Sequence, residues 1–302
     1  MTSLASPRRF LSGALLFGAL CFSSLLPDAN AGVLLEQNPM PSDRTTQQLP
    51  YQSIWYTSGS TSAGKYTDGS YKVGGNNHFV TYFTDASAPL TLQVGQTLTA
   101  TFSFRLAGVV TTETTTLLIR FALLDSGGSR ITADGQGGKN PLFAGYTGYA
   151  AYLLHNQSYG NTQFLQRNAH SSEPADAATN QLISSNSAYD SLKSLGAKYL
   201  YTDDVQYTCT YTLTRTSEGM VMSVNVLADG VSVITQNYTT TGDIYTTFDT
   251  FAFFGGGSNA LTSYMFDNIS ISVIPEPGSV GLALGVAPVV LGALVFRKRR
   301  KF

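Results

Sequence analysis

The sequence is poor in the residues that most metal, redox and nucleotide sites require. It contains only 2 cysteines and 3 histidines in 302 residues, and the histidines match no metal-binding motif. Cys21 lies in an N-terminal apolar segment, so Cys209 is the single cysteine of the body and an internal disulfide is excluded there. The glycine-rich segments lack the Lys-Ser/Thr pair of a phosphate loop, because Lys139 after Gly135-Gln136-Gly137-Gly138 is followed by an asparagine. Metal-dependent and nucleotide-binding proteins are therefore disfavoured.

Basic charge is scarce in the body of the chain. Charged residues make up 12% of the sequence, and between residues 32 and 274 the acidic side chains outnumber the basic ones. A neutral to acidic body lacks the cationic surface that binding to a phosphate backbone needs. Nucleic acid is therefore not an expected partner.

Paired catalytic carboxylates are also absent. Retaining glycosidases place two carboxyl groups about 5 Å apart, which alternate residues on one strand can supply. The internal glutamates of this sequence stand alone, and the acidic pair Glu173 and Asp176 flanks a proline in a loop-like segment. The sequence therefore predicts a protein that is not an enzyme, although a glycan-active enzyme with an unrecognised active site remains the alternative.

The residues that are abundant favour β-strands. Aromatic residues make up 12% of the chain and hydrophobic residues 43%, enough to bury a core. Residues 97–106 alternate apolar and polar side chains, the pattern of a strand with one buried face. Similar patterns predict strands at 78–84, 117–124, 148–154, 162–167, 205–215, 220–227, 231–238, 248–254 and 263–273. Together they predict one all-β sandwich domain over residues 32–274, with its core at about 75–273.

Three local features complete this prediction. Asp229-Gly230 indicates a tight hairpin turn, because both residues tolerate positive φ. Residues 187–197 carry apolar side chains three apart and predict a short helix. Residues 32–75 are polar and turn-rich, with Ile54, Trp55 and Tyr56 as their apolar anchors.

The N-terminus has the organisation of a secretory signal peptide. Arg8 and Arg9 precede an apolar stretch over 10–26, and Ala29 and Ala31 provide the small residues that signal peptidase prefers. Cleavage is expected between Ala31 and Gly32, which makes residues 1–31 the signal peptide.

The C-terminus has a second export-related pattern. Pro275-Glu276-Pro277 is followed by an apolar run over 280–296, short for a membrane-spanning helix. The chain then carries a basic cluster, which predicts that this end stays on the cytoplasmic side. The cluster consists of Arg297, Lys298, Arg299, Arg300 and Lys301.

Residues 275–301 resemble the PEP-CTERM sorting signal in all three of its parts. The resemblance implies recognition by an exosortase-type membrane protease, transient anchoring in the inner membrane of a Gram-negative bacterium, and delivery to the cell surface or extracellular space. A simple tail anchor is the alternative. The order of the predicted strands resembles the concanavalin A-like, or laminin-G-like, jelly-roll domain, which is often joined to such tails. This second resemblance covers about residues 75–273.

The candidate ligand-binding residues lie around the middle of the chain. Tyr146, Tyr152, His155 and Asn156 offer aromatic faces and polar groups to sugar rings. Asp267 is a candidate ligand of a structural calcium ion, and the simpler interpretation is an outward polar residue followed by a turn. No other cofactor is expected.

The sequence as a whole predicts an exported, exosortase-sorted component of the cell surface or extracellular matrix. It would be a non-catalytic glycan-binding or structural protein linked to exopolysaccharide or biofilm. Signal peptidase, the exosortase-type protease and extracellular polysaccharide are the expected partners.

Overall fold

The computed structural model describes residues 32–58, 64–110, 112, 115–136, 140–170, 172, 181–184, 187–196, 198–257 and 259–274. The predicted signal peptide (1–31) and sorting signal (275–301) lie outside the described residues. Within the described ranges, no helix has the length and apolar character needed to cross a membrane.

The described chain forms strands and one short 3₁₀ helix, Pro141–Gly145. The strands are β1 (Gly32–Gln37), β2 (Trp55–Thr57), β3 (Gly64–Thr67), β4 (Ser70–Gly74), β5 (Asn77–Tyr82), β6 (Leu90–Thr91), β7 (Thr97–Ala107), β8 (Leu117–Asp125), β9 (Thr147–His155), β10 (Gly160–Arg167), β11 (Tyr189–Gly196), β12 (Tyr207–Arg215), β13 (Gly219–Ala228), β14 (Val231–Thr241), β15 (Thr247–Phe248), β16 (Thr250–Gly256) and β17 (Ser263–Ile274).

Two antiparallel sheets pack face to face. The eight-stranded sheet has the order β14-β13-β12-β7-β17-β4-β3, with β1 paired to β17, and the seven-stranded sheet has the order β11-β10-β9-β8-β16-β5-β2. The short strands β6 and β15 form a separate pair. The predicted all-β sandwich is thereby confirmed.

Aromatic side chains from both sheets form the core between them. Phe102 of the eight-stranded sheet contacts Phe121, Phe251 and Phe253 of the facing sheet at ring-centroid distances of 5.3, 5.1 and 5.7 Å. Cys209 lies in the same core as a free, fully buried thiol, and burial raises the pKa of this thiol. Such interdigitated rings are the main source of stability in a core of this kind.

The period-2 patterns locate the long strands correctly. In β7 the residues Leu98, Ala100 and Phe102 are buried while Thr97 and Thr99 face outward. The Asp229-Gly230 turn joins β13 to β14 with φ values of 46° and 82°, the left-handed conformation that the prediction required. The turn-rich segment 32–75 also contains the strands β1 to β4, which are too short to show a periodic pattern of buried side chains.

The predicted helix over 187–197 is wrong, because this segment forms the edge strand β11. β11 pairs with β10, and the register shifts at Leu192, which lies between the partners of Phe164 and Leu165. The bulge moves the side chains after it to the opposite face of the strand. Tyr189 therefore packs on the outer side of the sheet, while Leu192 and Leu195 pack against the central core. This change of face produces the three-residue spacing that resembles a helix.

Candidate functional site

Tyr146 and Tyr152, two of the sequence-predicted ligand residues, lie inside the protein. Both are fully buried in a second apolar layer on the outer side of the seven-stranded sheet. The Tyr146 hydroxyl lies 2.9 Å from that of Tyr82, and the Tyr152 hydroxyl donates to the Ser184 carbonyl at 2.8 Å. Burial raises the pKa values of both phenols. Their rings thus fasten the covering loops to the sheet and present no face to solvent.

His155 and Asn156 lie at the far end of β9. The Asn156 Oδ1 accepts hydrogen bonds from the backbone N–H groups of Ser158 and Tyr159, both at 2.8 Å, which closes the turn to β10. His155 is buried, and its Nδ1 accepts a hydrogen bond from the Tyr199 N–H at 3.2 Å. These two residues therefore organise the turn and its surroundings, and the structure does not bring them together with Tyr146.

Asp267 occupies a bulge in β17. Its carboxylate pairs with Arg105 at 2.8 Å and accepts hydrogen bonds from Ser70 at 2.6 Å and Gln206 at 2.9 Å. β17 continues to Ile274, so Asp267 lies within the strand that the sequence predicts over 263–273. Among the described residues, no three His, Cys, Asp or Glu side chains form a group that could hold a metal ion.

A groove crosses the edge of the seven-stranded sheet above β2. It consists of two adjoining hollows of about 290 and 220 Å³, which share Ile54, Tyr56 and Thr132 as lining residues. We call it the β2 groove. Its other lining residues are Arg44, Thr45, Trp55, Ala133 and Asp134 in the larger hollow and Gln47, Tyr82, Asp85, Arg130 and Ile131 in the smaller one.

The alternation of β2 places an aromatic ring in this groove. Trp55 is fully buried and stacks on Phe79 at 4.3 Å, which anchors β2 to the core. Because successive side chains point to opposite faces of a strand, Tyr56 points outward. Its ring packs edge-on against Tyr82 at 6.2 Å and remains partly exposed. Burial and the nearby Asp134 carboxylate raise the pKa of Tyr56, which keeps its hydroxyl protonated as a donor.

One end of the β2 groove is held by Arg44 and Asp134. The Arg44 Nη1 donates to the Trp55 carbonyl at 2.6 Å and to Asp134 Oδ1 at 3.0 Å, and its Nη2 pairs with Oδ2. Asp134 also accepts the Thr57 N–H at 2.9 Å. Burial opposes the ionisation of Asp134, but the hydrogen bonds from Arg44 and Thr57 outweigh it and lower the pKa of the carboxyl group. The planar pair is therefore charged and fixed in place.

The other end of the groove is held by Arg130 and Asp249. The guanidinium lies 4.5 Å from the centre of the Tyr82 ring, and its Nη2 donates to Asp249 Oδ2 at 2.8 Å. Asp85 is exposed at the mouth. A partly exposed aromatic ring thus lies between two ordered Arg–Asp pairs, with amide and hydroxyl groups beside it. This arrangement can pack an apolar ligand face on the ring and bind polar groups on either side.

Sequence reasoning missed the β2 groove, although it selected Ile54, Trp55 and Tyr56 as apolar anchors. Arg44 and Asp134 are 90 residues apart in the chain, so no local motif contains both of them. The sequence feature that could have indicated a binding site is the aromatic pair Trp55-Tyr56, which lies among polar residues in a turn-rich segment. This feature does not show which distant loop of the chain packs above the two aromatic residues.

No protein-family profile and no curated protein matches this chain. Solved structures with a similar fold include the carbohydrate recognition domain of Emp47p, with 14% identity, a TM-score of 0.44, and coverage of 80% of this chain and 96% of that one. They also include the metal-free lectin I-B4 of Griffonia simplicifolia (10% identity, TM-score 0.41, coverage 73% and 92%). A third is the alginate lyase Aly36B (13% identity, TM-score 0.39, coverage 78% and 95%). The likeness is one of fold alone.

Proposed function

We propose that this chain is an exported glycan-binding protein and that the β2 groove is its sugar site. The observation that carries the proposal is the partly exposed Tyr56 ring between the Arg44–Asp134 and Arg130–Asp249 pairs. A pyranose ring has an apolar face of C–H groups and an edge of hydroxyls. The C–H face can stack on the ring of Tyr56, and the hydroxyls can form hydrogen bonds with the fixed donors and acceptors beside it.

Charge in the groove favours a neutral or weakly charged sugar. Arg44 and Arg130 each form an ion pair with an aspartate, so neither guanidinium presents an uncompensated charge. An anionic ligand would have to compete with carboxylates that are already hydrogen-bonded in good geometry. The groove is therefore matched to hydroxyl groups rather than to sulfates or uronates.

Glycan cleavage is the alternative function, and the likeness of fold does not exclude it because the similar structures include a lyase. The state of the carboxylates favours binding. Asp134 and Asp249 are held in ion pairs at opposite ends of the groove, and Asp85 is exposed at its mouth. A retaining glycosidase would instead need two carboxyl groups facing one bond at about 5 Å.

Replacing Tyr56 by alanine should weaken glycan binding at least tenfold, because a stacking surface at the centre of the groove is removed; tenfold corresponds to about 1.4 kcal/mol. A glycan array with the intact protein identifies the ligand, and calorimetric titration then measures the dissociation constant. Tyr66→Ala is the matched control, because Tyr66 is exposed on β3 of the other sheet.

Three results would contradict the proposed binding site. Equal affinities of Tyr56→Ala and Tyr66→Ala would place the ligand elsewhere. A wild-type protein that binds no glycan on the array would support a purely structural role. Release of reducing sugar that is lost on changing Asp85 or Asp134 would support the enzyme instead.

We also propose that the two terminal segments direct the protein through the inner membrane to the cell surface or matrix. The support is the sequence pattern: a signal peptide over 1–31, and Pro275-Glu276-Pro277 followed by an apolar run and a basic cluster. Protein recovered from the surface of its host should have an intact mass that lacks residues 1–31 and everything beyond about Pro277. A mass that retains the C-terminal segment would show an anchored protein and contradict exosortase processing.

A further inference from the structure

The outer side of the eight-stranded sheet is a regular array of short polar side chains. The array spans the two central strands and their neighbours, and its central side chains are partly exposed. We call it the hydroxyl face, and its central members are Thr97, Thr99 and Thr101 of β7 and Thr210, Thr212 and Thr214 of β12.

Strand register arranges these side chains in rows. Thr101 lies between Thr210 on one side and Ser270 on the other, and Asn225 follows Thr210 in the same row. The next row runs from Ser272 through Thr99 and Thr212 to Ser223. Neighbours are about 4.8 Å apart across the strands and about 6.8 Å apart along them. The result is a two-dimensional grid of hydroxyl and amide groups.

Hydrogen bonds between the side chains hold the grid in place. The hydroxyls of Thr97 and Thr214 are 2.8 Å apart, and those of Ser103 and Thr208 are 2.9 Å apart. At the sheet edge Asn225 Oδ1 accepts a hydrogen bond from Thr235 at 3.0 Å. Each threonine is also stiff because it is β-branched. The polar groups are therefore preorganised, which lowers the entropic cost of binding a partner.

Charge is confined to the margins of the hydroxyl face in the described strands. Arg105 and Asp267 pair with each other at one end, and Glu36 on β1 accepts a hydrogen bond from Ser270 at 2.7 Å. The centre of the grid contains neither charged nor aromatic side chains among the residues described. An uncharged surface of short polar side chains is complementary to a neutral polyhydroxyl partner and has nothing to attract an ionic one.

We propose that the hydroxyl face binds the flat surface of a neutral polysaccharide whose chains are packed side by side. One hydrogen bond contributes only about 0.5–1.5 kcal/mol net, so a free sugar that meets two or three of these groups dissociates readily. An ordered surface engages many rows at once, and its contacts act together. This inference adds a second site and a substrate class to the proposed glycan binding, and it does not depend on the β2 groove.

The test is depletion of the intact protein from solution by particles of microcrystalline cellulose or chitin. We expect Thr210→Lys to reduce the partition of the protein onto the particles at least tenfold, because it places a charge in the centre of the grid. Thr101→Lys on the neighbouring strand should have the same effect and guards against a folding defect in one variant. Thr91→Lys is the matched control, since Thr91 is exposed on β6 outside the grid.

Each other outcome overturns the inference. Wild-type protein that stays in solution with both particles, or lysine variants that bind as well as Thr91→Lys, would show that the face binds no such surface. A doubling of mass in sedimentation that Thr210→Lys abolishes would assign the face to a second copy of the chain. Inhibition of ice recrystallisation without polysaccharide binding would assign it to ice. Binding of soluble oligosaccharides tests the groove separately, because the face variants leave Tyr56 unchanged.

Discussion

Asp249→Ala should lower the free energy of unfolding by about 3–5 kcal/mol, the range found when one partner of a buried ion pair is removed. The side chain of Asp249 is 1% exposed, and its carboxylate accepts hydrogen bonds from the Ser126 N–H at 2.8 Å, the Thr250 hydroxyl at 2.6 Å and Arg130 at 2.8 Å. Alanine would leave the Ser126 N–H and the Thr250 hydroxyl, which belong to fully buried residues, without their acceptor. Chemical denaturation measures the loss.

The control for this prediction is Asp85→Ala at the mouth of the same groove. Asp85 is exposed, so we expect a change within about 0.5 kcal/mol. Asp249→Ala should also release Arg130, whose position depends on the carboxylate, and should therefore weaken glycan binding. Similar stabilities of the two alanine variants would show that the Asp249 network contributes little to the fold.

The second large effect is a loss of stability in acid that depends on His155. Burial lowers the pKa of this imidazole from 6.5 to about 4, because charging it inside the protein is unfavourable. The unfolded chain takes up a proton on His155 as the pH falls below about 6.5, whereas the folded protein takes it up only near 4. The histidine therefore contributes stability at neutral pH that is lost between these values, about 3 kcal/mol in total.

The variant His155→Asn tests this contribution, because asparagine does not titrate and its side-chain oxygen can accept the Tyr199 N–H. We expect the unfolding free energy of the variant to fall less steeply than that of the wild type between pH 6.5 and 4. Cooperative unfolding of the variant at neutral pH is the control, because it shows that the variant is folded before the two proteins are compared. Equal slopes for the two proteins would show that His155 titrates alike in the folded and unfolded chains.

Sequence patterns predicted the central strands because burial there repeats with the period of the strand. The alternation in Thr97–Ala107 gives both the buried core and the outward hydroxyls directly. β11 was misread because the bulge at Leu192 interrupts that period. The short strands β1 and β2 were missed because distant partners hold them, as β17 does for Gly32–Gln37. The strands β3 and β4 pair with each other as a hairpin too short to show a periodic pattern.

The functional surface was harder to predict, because it depends on which loops cover which sheet. Tyr152 belongs to a run, 149–154, in which both faces are apolar, and such a run indicates a strand buried on both sides. The second covering layer is formed in part by residues such as Ile131 and Leu182, which lie far from this run in sequence. The loop that contributes Ile131 to this layer also brings Asp134 to Arg44 beside Tyr56. Those contacts depend on tertiary packing, which periodicity does not describe.

The measurement that tests the glycan site most directly compares the affinities of the wild type, Tyr56→Ala and Tyr66→Ala for one glycan chosen from the array. Tyr56 lines both hollows of the β2 groove, whereas Tyr66 is exposed on β3 of the other sheet. Calorimetric titration of the intact protein should show saturable binding that is at least tenfold weaker in Tyr56→Ala and unchanged in Tyr66→Ala. Saturable binding with equal affinity in the wild type and in Tyr56→Ala would contradict the assignment of the groove.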